Sequence, residues 1–179
     1  LKNPIELDLS NCGVSVNGVN PVAKAISARA ALNSITLDGQ AISGSTPKYG
    51  DFSHGIDKVD ANLTGFKLLC DALGSSQIEV ISMKSCYLGP EALALLADAI
   101  KLMAAVTSID SLANKFGEDD LATLLTAIEG TSVRSLCGLT EGQTAADFSG
   151  QNLGPIDVKI MAAEYGFQGF IAALNSLTL

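Results

Sequence analysis

Residues able to do chemistry in this 179-residue chain are few and far apart. A nucleophile needs a base within reach, yet four cysteines, Cys12, Cys70, Cys86 and Cys137, stand against a single histidine, His54. His54 lies in a stretch rich in Gly, Ser and Asp. No G-x-S-x-G elbow occurs, and no cysteine has the His or Arg neighbours that make a thiol reactive. With no C-x-x-C pair and one His, the ligand set of a zinc site is missing. Asp51, Asp57 and Asp60 lack the D-x-[DN]-x-[DN]-G spacing of a calcium loop. The glycine-rich stretches 44–50 and 138–142 lack the G-K-[ST] ending of a phosphate loop. The sequence thus predicts no catalytic residue, no cofactor and no metal.

Composition narrows the remaining classes. Apolar residues make up 47% of the chain and charged ones 17%, with a mean hydropathy of +0.33, which is a folding composition rather than a disordered one. The net charge is −8, and Lys and Arg are scattered singly, so the clustered cations that neutralise phosphates are absent and nucleic acid is not an expected ligand. The longest apolar stretch, Ala92 to Val106, is broken by Asp98 and Lys101 and is shorter than a bilayer span. No membrane partner is expected. A chain this apolar needs no disulfide staples, so the thiols read as reduced and buried, which favours an intracellular, cytoplasmic setting.

What must position any functional residue is a repeat. Apolar residues in the form L-x-x-L-x-L-x-x-N/C recur as Pro4, Leu7, Leu9, Cys12; Leu32, Ile35, Leu37, Gln40; Ile78, Ile81, Met83, Cys86; and Val106, Ile109, Ser111, Asn114. From Leu7 to Ile35 is 28 residues, from Ile35 to Ile81 is 46, and from Ile81 to Ile109 is again 28. The long step is one unit plus an 18-residue insertion, placed at about 43–60. A fifth copy starts at Val133 with Leu136. The register then breaks, over about 131–151, and restarts with Ala146, Phe148 and Gln151, followed by Leu174, Leu177 and Leu179. Seven strand segments are expected.

Each unit opens with period-2 alternation, placing Leu7 and Leu9 on one side of a short strand, and then switches to helical spacing. Ala92, Leu93, Leu95, Leu96, Ala99, Ile100 and Met103 form one broad apolar helix face, and Leu121, Leu124, Leu125 and Ile128 another. Pro21, Pro90 and Pro155 mark helix starts, with acids close behind the last two. Asn62, formally in a glycosylation sequon, reads as a cap for a helix over 63–73.

The run Ile78 to Ile128 resembles the ribonuclease-inhibitor type of leucine-rich repeat. The likeness rests on the L-x-L-x-x-N/C core, on the apolar-Gly pair after it (Leu88-Gly89, Phe116-Gly117, Leu153-Gly154), and on the helix that follows. It implies an α/β fold: a curved solenoid with parallel strands inside and helices outside, interrupted by one irregular insertion. The departures are Ser111 at a core position, Gln40 and Gln151 in place of Asn or Cys, and the break between Leu136 and Phe148. All of 1–179 reads as one such domain. Because the last residues, Ala173 to Leu179, repeat Ala31 to Leu37 except for Leu177 in place of Ile35, the chain is expected to be a fragment of a longer solenoid.

In that family the usual work is binding proteins, and the resemblance brings no active site with it. The alternation sets Asp8, Thr36, Ser82, Asp110, Asp147 and Thr178 in one inner row. Glu6, Ser34, Val80 and Ser108 flank it on one side, and Ser10, Asp38, Lys84 and Leu112 on the other. Such a face is small and acidic, suited to steering a basic protein. Its carboxylates are expected in water, with ordinary pKa values. Tyr49, Phe52 and His54 are contact candidates on the projecting insertion, or else a cap folded back on the body. The leading function is a non-catalytic interaction scaffold. The alternatives are a regulatory activator like the Ran GTPase-activating proteins, or a sensor or structural subunit of a larger assembly.

Overall fold

The computed structural model describes residues 5–28 and 31–179, so Pro4 of the repeat lies outside the described residues. A four-stranded parallel sheet is built from β1 (Ile5–Asp8), β2 (Leu32–Thr36), β5 (Val80–Ser82) and β6 (Ser108–Asp110), each beside the one before it in the chain. The intervening strands β3 (Thr46–Pro47) and β4 (Ile56–Lys58) pair antiparallel as a separate hairpin. Helices α1 (Val16–Ala28), α2 (Thr64–Gly74), α3 (Pro90–Ile100) and α4 (Glu118–Ile128) alternate with the parallel strands and pack on one another in order. Further on, β7 (Ala145–Asp147) and β8 (Ser176–Thr178) form a two-stranded parallel sheet around α5 (Pro155–Gly166).

Register decides whether the alternation holds, since a slip of one residue would turn the apolar side to water. Leu7 is opposite Ile35, Ile35 opposite Ile81, and Ile81 opposite Ile109. The three isoleucines are wholly buried, and Leu69, Leu93, Leu96 and Leu124 of the helices belong to the same core. A side chain of that size contributes about 1.5–3 kcal/mol on full burial. At the outer strands the column thins: Leu7 and Leu9 are half-buried, and Leu177 and Leu179 of the second sheet are exposed rather than in the core.

A second repeating device follows each strand. Asn11, Gly39, Ser85 and Ala113 adopt positive φ, one residue before Cys12, Gln40, Cys86 and Asn114. That turn keeps the backbone pairing going past the strand, with Asn11 N donating to Asp38 O, Gly39 N to Lys84 O and Ser85 N to Leu112 O. The next side chain then reaches back to the preceding unit. Gln40 Nε2 donates to Leu9 O, Cys86 Sγ to Leu37 O at 3.0 Å, and Asn114 Nδ2 to Met83 O at 2.9 Å. Gln40 therefore does the work expected of Asn or Cys. Ser111 is accommodated in the core because its hydroxyl donates to Leu136 O at 3.0 Å. Cys12 departs from the pattern. It is exposed, and its thiol donates to Ser10 O at 3.5 Å within its own unit.

Two other expectations change. α1 starts at Val16, ahead of Pro21, which falls inside the helix; Gly18 and Val19 amides donate to Ser15 O and begin it earlier. The fifth strand does not form, and residues 135 and 137 make only isolated bridges to β6. Its backbone keeps bonds to the β6 segment, Arg134 N donating to Thr107 O and Ile109 N to Ser135 O, and a side chain holds the other side: the buried Glu164 carboxylate accepts from Leu136 N at 2.8 Å, from Ser135 Oγ at 3.1 Å and from Ile171 N at 3.1 Å.

The insertion is stitched to the body by Asp60. In α4 and α5 an acid of the first turn accepts from the residue before the helix, Gly117 N to Asp120 and Gly154 N to Asp157, both at 2.7 Å. α3 has Ala92 at that place. Asp60, arriving from the hairpin, accepts instead from Gly89 N and Ala92 N, both at 3.0 Å. Gly89 must be glycine for space, since a Cβ would overlap Val59 and sit 2.7 Å from the Asp60 carboxylate. An Asp60→Ala change, removing a buried cap, is expected to lower stability by about 1–2 kcal/mol. Urea unfolding should show that loss, while the exposed Asp57→Ala stays within about 0.5 kcal/mol of the parent.

Candidate binding face

Parallel pairing brings the predicted row together over four strands. Asp8 is opposite Thr36, Thr36 opposite Ser82, and Ser82 opposite Asp110, with Glu6, Ser34, Val80 and Ser108 in register beside them. Asp147 is not among them. It belongs to β7, opposite Thr178 in the second sheet. The break after Leu136 separates the two sheets, and the sequence spacing alone had merged them into one row.

Side chains on the face tie to one another. Asp38 Oδ1 accepts from Ser82 Oγ at 2.6 Å and from Lys84 N at 2.9 Å, fixing the loop after β2 to the loop after β5. Lys84 Nζ lies 4.0 Å from Asp110 Oδ2. Asp8 is exposed and accepts from the Ser10 hydroxyl and amide, which holds its carboxyl below the usual range; Asp147 does the same with Ser149. Glu6 is exposed as well.

The far end of the row departs from expectation. Asp110 is 8% exposed, Ser108 and Leu112 are buried, and none of them lines an open face. Gly138, between the buried Cys137 and Leu139, is seated against the Asp110 side chain, and Ser108 is bridged by Ser135. Burial pushes the Asp110 carboxyl up to about 6, opposed by the Leu112 amide and by Lys84 and reinforced by Asp38 and Asp157. Cys137 is likewise buried, and burial with Glu164 close by raises its thiol. Cys70 and Cys86 are core thiols raised to about 12 by burial. Three of the four cysteines are therefore buried thiols held in the protonated form by burial.

The three insertion residues divide. Phe52 folds back and stacks on Tyr87, centroids 3.8 Å apart and planes 10° from parallel. Ser45 reinforces this, donating to Tyr87 O at 2.7 Å and accepting from Asp60 N at 3.0 Å. Tyr49 and His54 remain at the tip as an edge-to-face pair, and Tyr49 is 93% exposed. Phe52 is thus an anchor, and Tyr49 with His54 forms a free contact point. Of the three acids weighed as calcium ligands, Asp60 caps α3 and Asp51 accepts from Ser53 N. No cluster of three potential metal ligands occurs among the described residues. No helix among them is long and apolar enough to cross a membrane.

Sequence reasoning missed Asp60, Asp110 and Glu164 as buried groups. Asp60 and Glu164 reach donors 28 to 32 residues away, and Asp110 is covered by Gly138 from a later loop, so neither motif nor periodicity marks them. No protein-family model matches this chain, and no curated protein matches it.

Asp110 sets a pH dependence. Its carboxyl is raised in the folded state, so its contribution to stability is complete below the ordinary carboxyl value and is lost as pH rises through about 6. The folded state should therefore lose up to about 2–3 kcal/mol of this contribution between pH 4 and 6.5, whereas Asp8 and Asp147, shifted down, act only below about pH 4. Asp110→Asn is expected to flatten the pH profile of the urea midpoint and to exceed the parent at neutral pH. An unchanged profile would contradict the assignment.

Proposed function

We propose that the chain is a non-catalytic protein-binding module of the leucine-rich-repeat type, a curved solenoid holding a basic partner on its acidic inner face and at the hairpin tip. The observation that carries this reading is the in-register row of polar and acidic side chains on the side of the sheet away from the buried isoleucines. Glu6 and Asp8 are exposed on it, and Asp38 is held in place by Ser82 and Lys84. The repeating strand, left-handed turn and back-reaching side chain support the solenoid, since each unit closes its polar groups only against its neighbour. A partner surface of opposite charge would be steered toward such a face, and affinity would fall with salt. Tyr49 adds the one large exposed aromatic contact on the insertion. The unpaired thiols fit a reducing, intracellular compartment.

Affinity capture from the source cells at about 50 mM and about 500 mM salt tests this. A protein retained at low salt and released at high salt is expected. Its retention should fall for Glu6→Gln with Asp8→Asn, and separately for Tyr49→Ala, while Asp119→Asn on α4 leaves it unchanged. Retention indifferent to salt and to the Glu6 and Asp8 changes would refute the proposed face.

A further inference from the structure

Four carboxylates are buried among the described residues, and three are fully engaged. Asp60 accepts two backbone amides, Asp157 accepts Ala113 N and Gly154 N at 2.7 Å each, and Glu164 accepts three donors. Asp110 is different. Its Oδ1 accepts one amide, Leu112 N at 3.1 Å, and its Oδ2 has only Lys84 Nζ at 4.0 Å. An ionised carboxylate so poorly partnered under cover is costly, and protonation relieves the cost.

The cover meets β6 itself through little: an isolated antiparallel bridge at Cys137 and Gly138 N donating to Ile109 O at 3.2 Å. Its two ends are tied within the loop, where Cys137 N and Leu139 N donate to Ser135 Oγ at 3.1 and 3.0 Å. Gly138 has positive φ and packs so closely that a Cβ there would lie 2.9 Å from Asp110 Cβ and Oδ2. The charged and titratable groups that face Asp110 are Lys84 after β5, Asp38 after β2, Asp157 in α5 and Cys137 in the cover. Two of the three charged neighbours repel an ionised Asp110, and the single cation stands at long range.

We propose that Cys137–Leu139 is a proton-operated latch that closes on protonated Asp110 and lifts when Asp110 ionises, uncovering that carboxylate beside Asp38. Opening releases one proton to solvent and adds a charge to the acidic row. Any effect on partner capture rests on the proposed binding face, but the latch does not, so its test reads the latch alone.

Cys137 reports on it directly, because the thiol is buried when the cover is down. The intact chain is treated with a pyridyl disulfide from pH 4.5 to 8, and each cysteine is scored by mass spectrometry. Exposed Cys12 serves as internal reference, and buried Cys70 and Cys86 as controls for global opening. The Cys137 to Cys12 labelling ratio is expected to rise about tenfold per pH unit up to about pH 6 and then to level off. In Asp110→Asn the ratio should stay low and flat. In Lys84→Gln, which removes the one facing cation, the levelling-off should move to higher pH; this decides the matter if Asp110→Asn does not fold. A flat parent profile, an equal rise in Asp110→Asn, an unmoved levelling-off in Lys84→Gln, or Cys70 and Cys86 rising in step would each overturn the latch.

Discussion

Parallel strands of three to five residues cannot hold a sheet together by backbone pairing alone, so the structure depends on what happens where each strand ends. There the chain turns through a left-handed residue and sends a side chain back to a carbonyl of the preceding unit. Buried carbonyls left without a donor would cost more than the short strands gain. Gln40, Cys86 and Asn114 differ in length and polarity, yet all reach the same kind of acceptor. The isoleucine column supplies the bulk of the apolar burial, but these contacts fix the stagger that lets it form.

Much of this was legible in the sequence because it is local and periodic. The alternation at Leu7 and Leu9, the helical spacing after Leu88-Gly89 and the step of 28 residues each describe a neighbourhood that a reader of the chain can see. Failures of sequence reading occurred where one group answers another across a long interval. α3 lacks an acid in its first turn at Ala92, and nothing near it announces that Asp60 supplies one. The fifth strand was predicted from Val133 and Leu136, which are indeed buried, but Glu164 captures the backbone that a neighbouring strand would have used. Apolar spacing reports which residues go inside. It is silent on who completes their peptide groups.

The face was legible to the same degree. Alternation correctly set Asp8, Thr36, Ser82 and Asp110 in a row, because parallel register preserves it from strand to strand. It could not foresee that Gly138 would be laid over the last of them, nor that Asp147 would stand in another sheet. The insertion shows the same division. Its composition marked a departure from the repeat, while its shape is set by distant partners: Phe52 on Tyr87, Ser45 on the Tyr87 carbonyl, Asp60 on α3. What is left over at the tip, Tyr49 and His54, is what the body does not use.

The back-reaching side chains also carry a polarity. Gln40, Cys86 and Asn114 each give a hydrogen bond to the unit before them, and Asn114 Oδ1 takes two backbone amides from that same earlier unit in return. A stack bonded in this sense resembles a sentence read in one direction: a copied unit slots in only if it keeps the same orientation, and its donor then finds a waiting acceptor wherever it lands. Growth or shortening by whole units is thereby made easy, and inversion of a unit is forbidden, by nothing more than which end of a strand holds the amide and which the carbonyl.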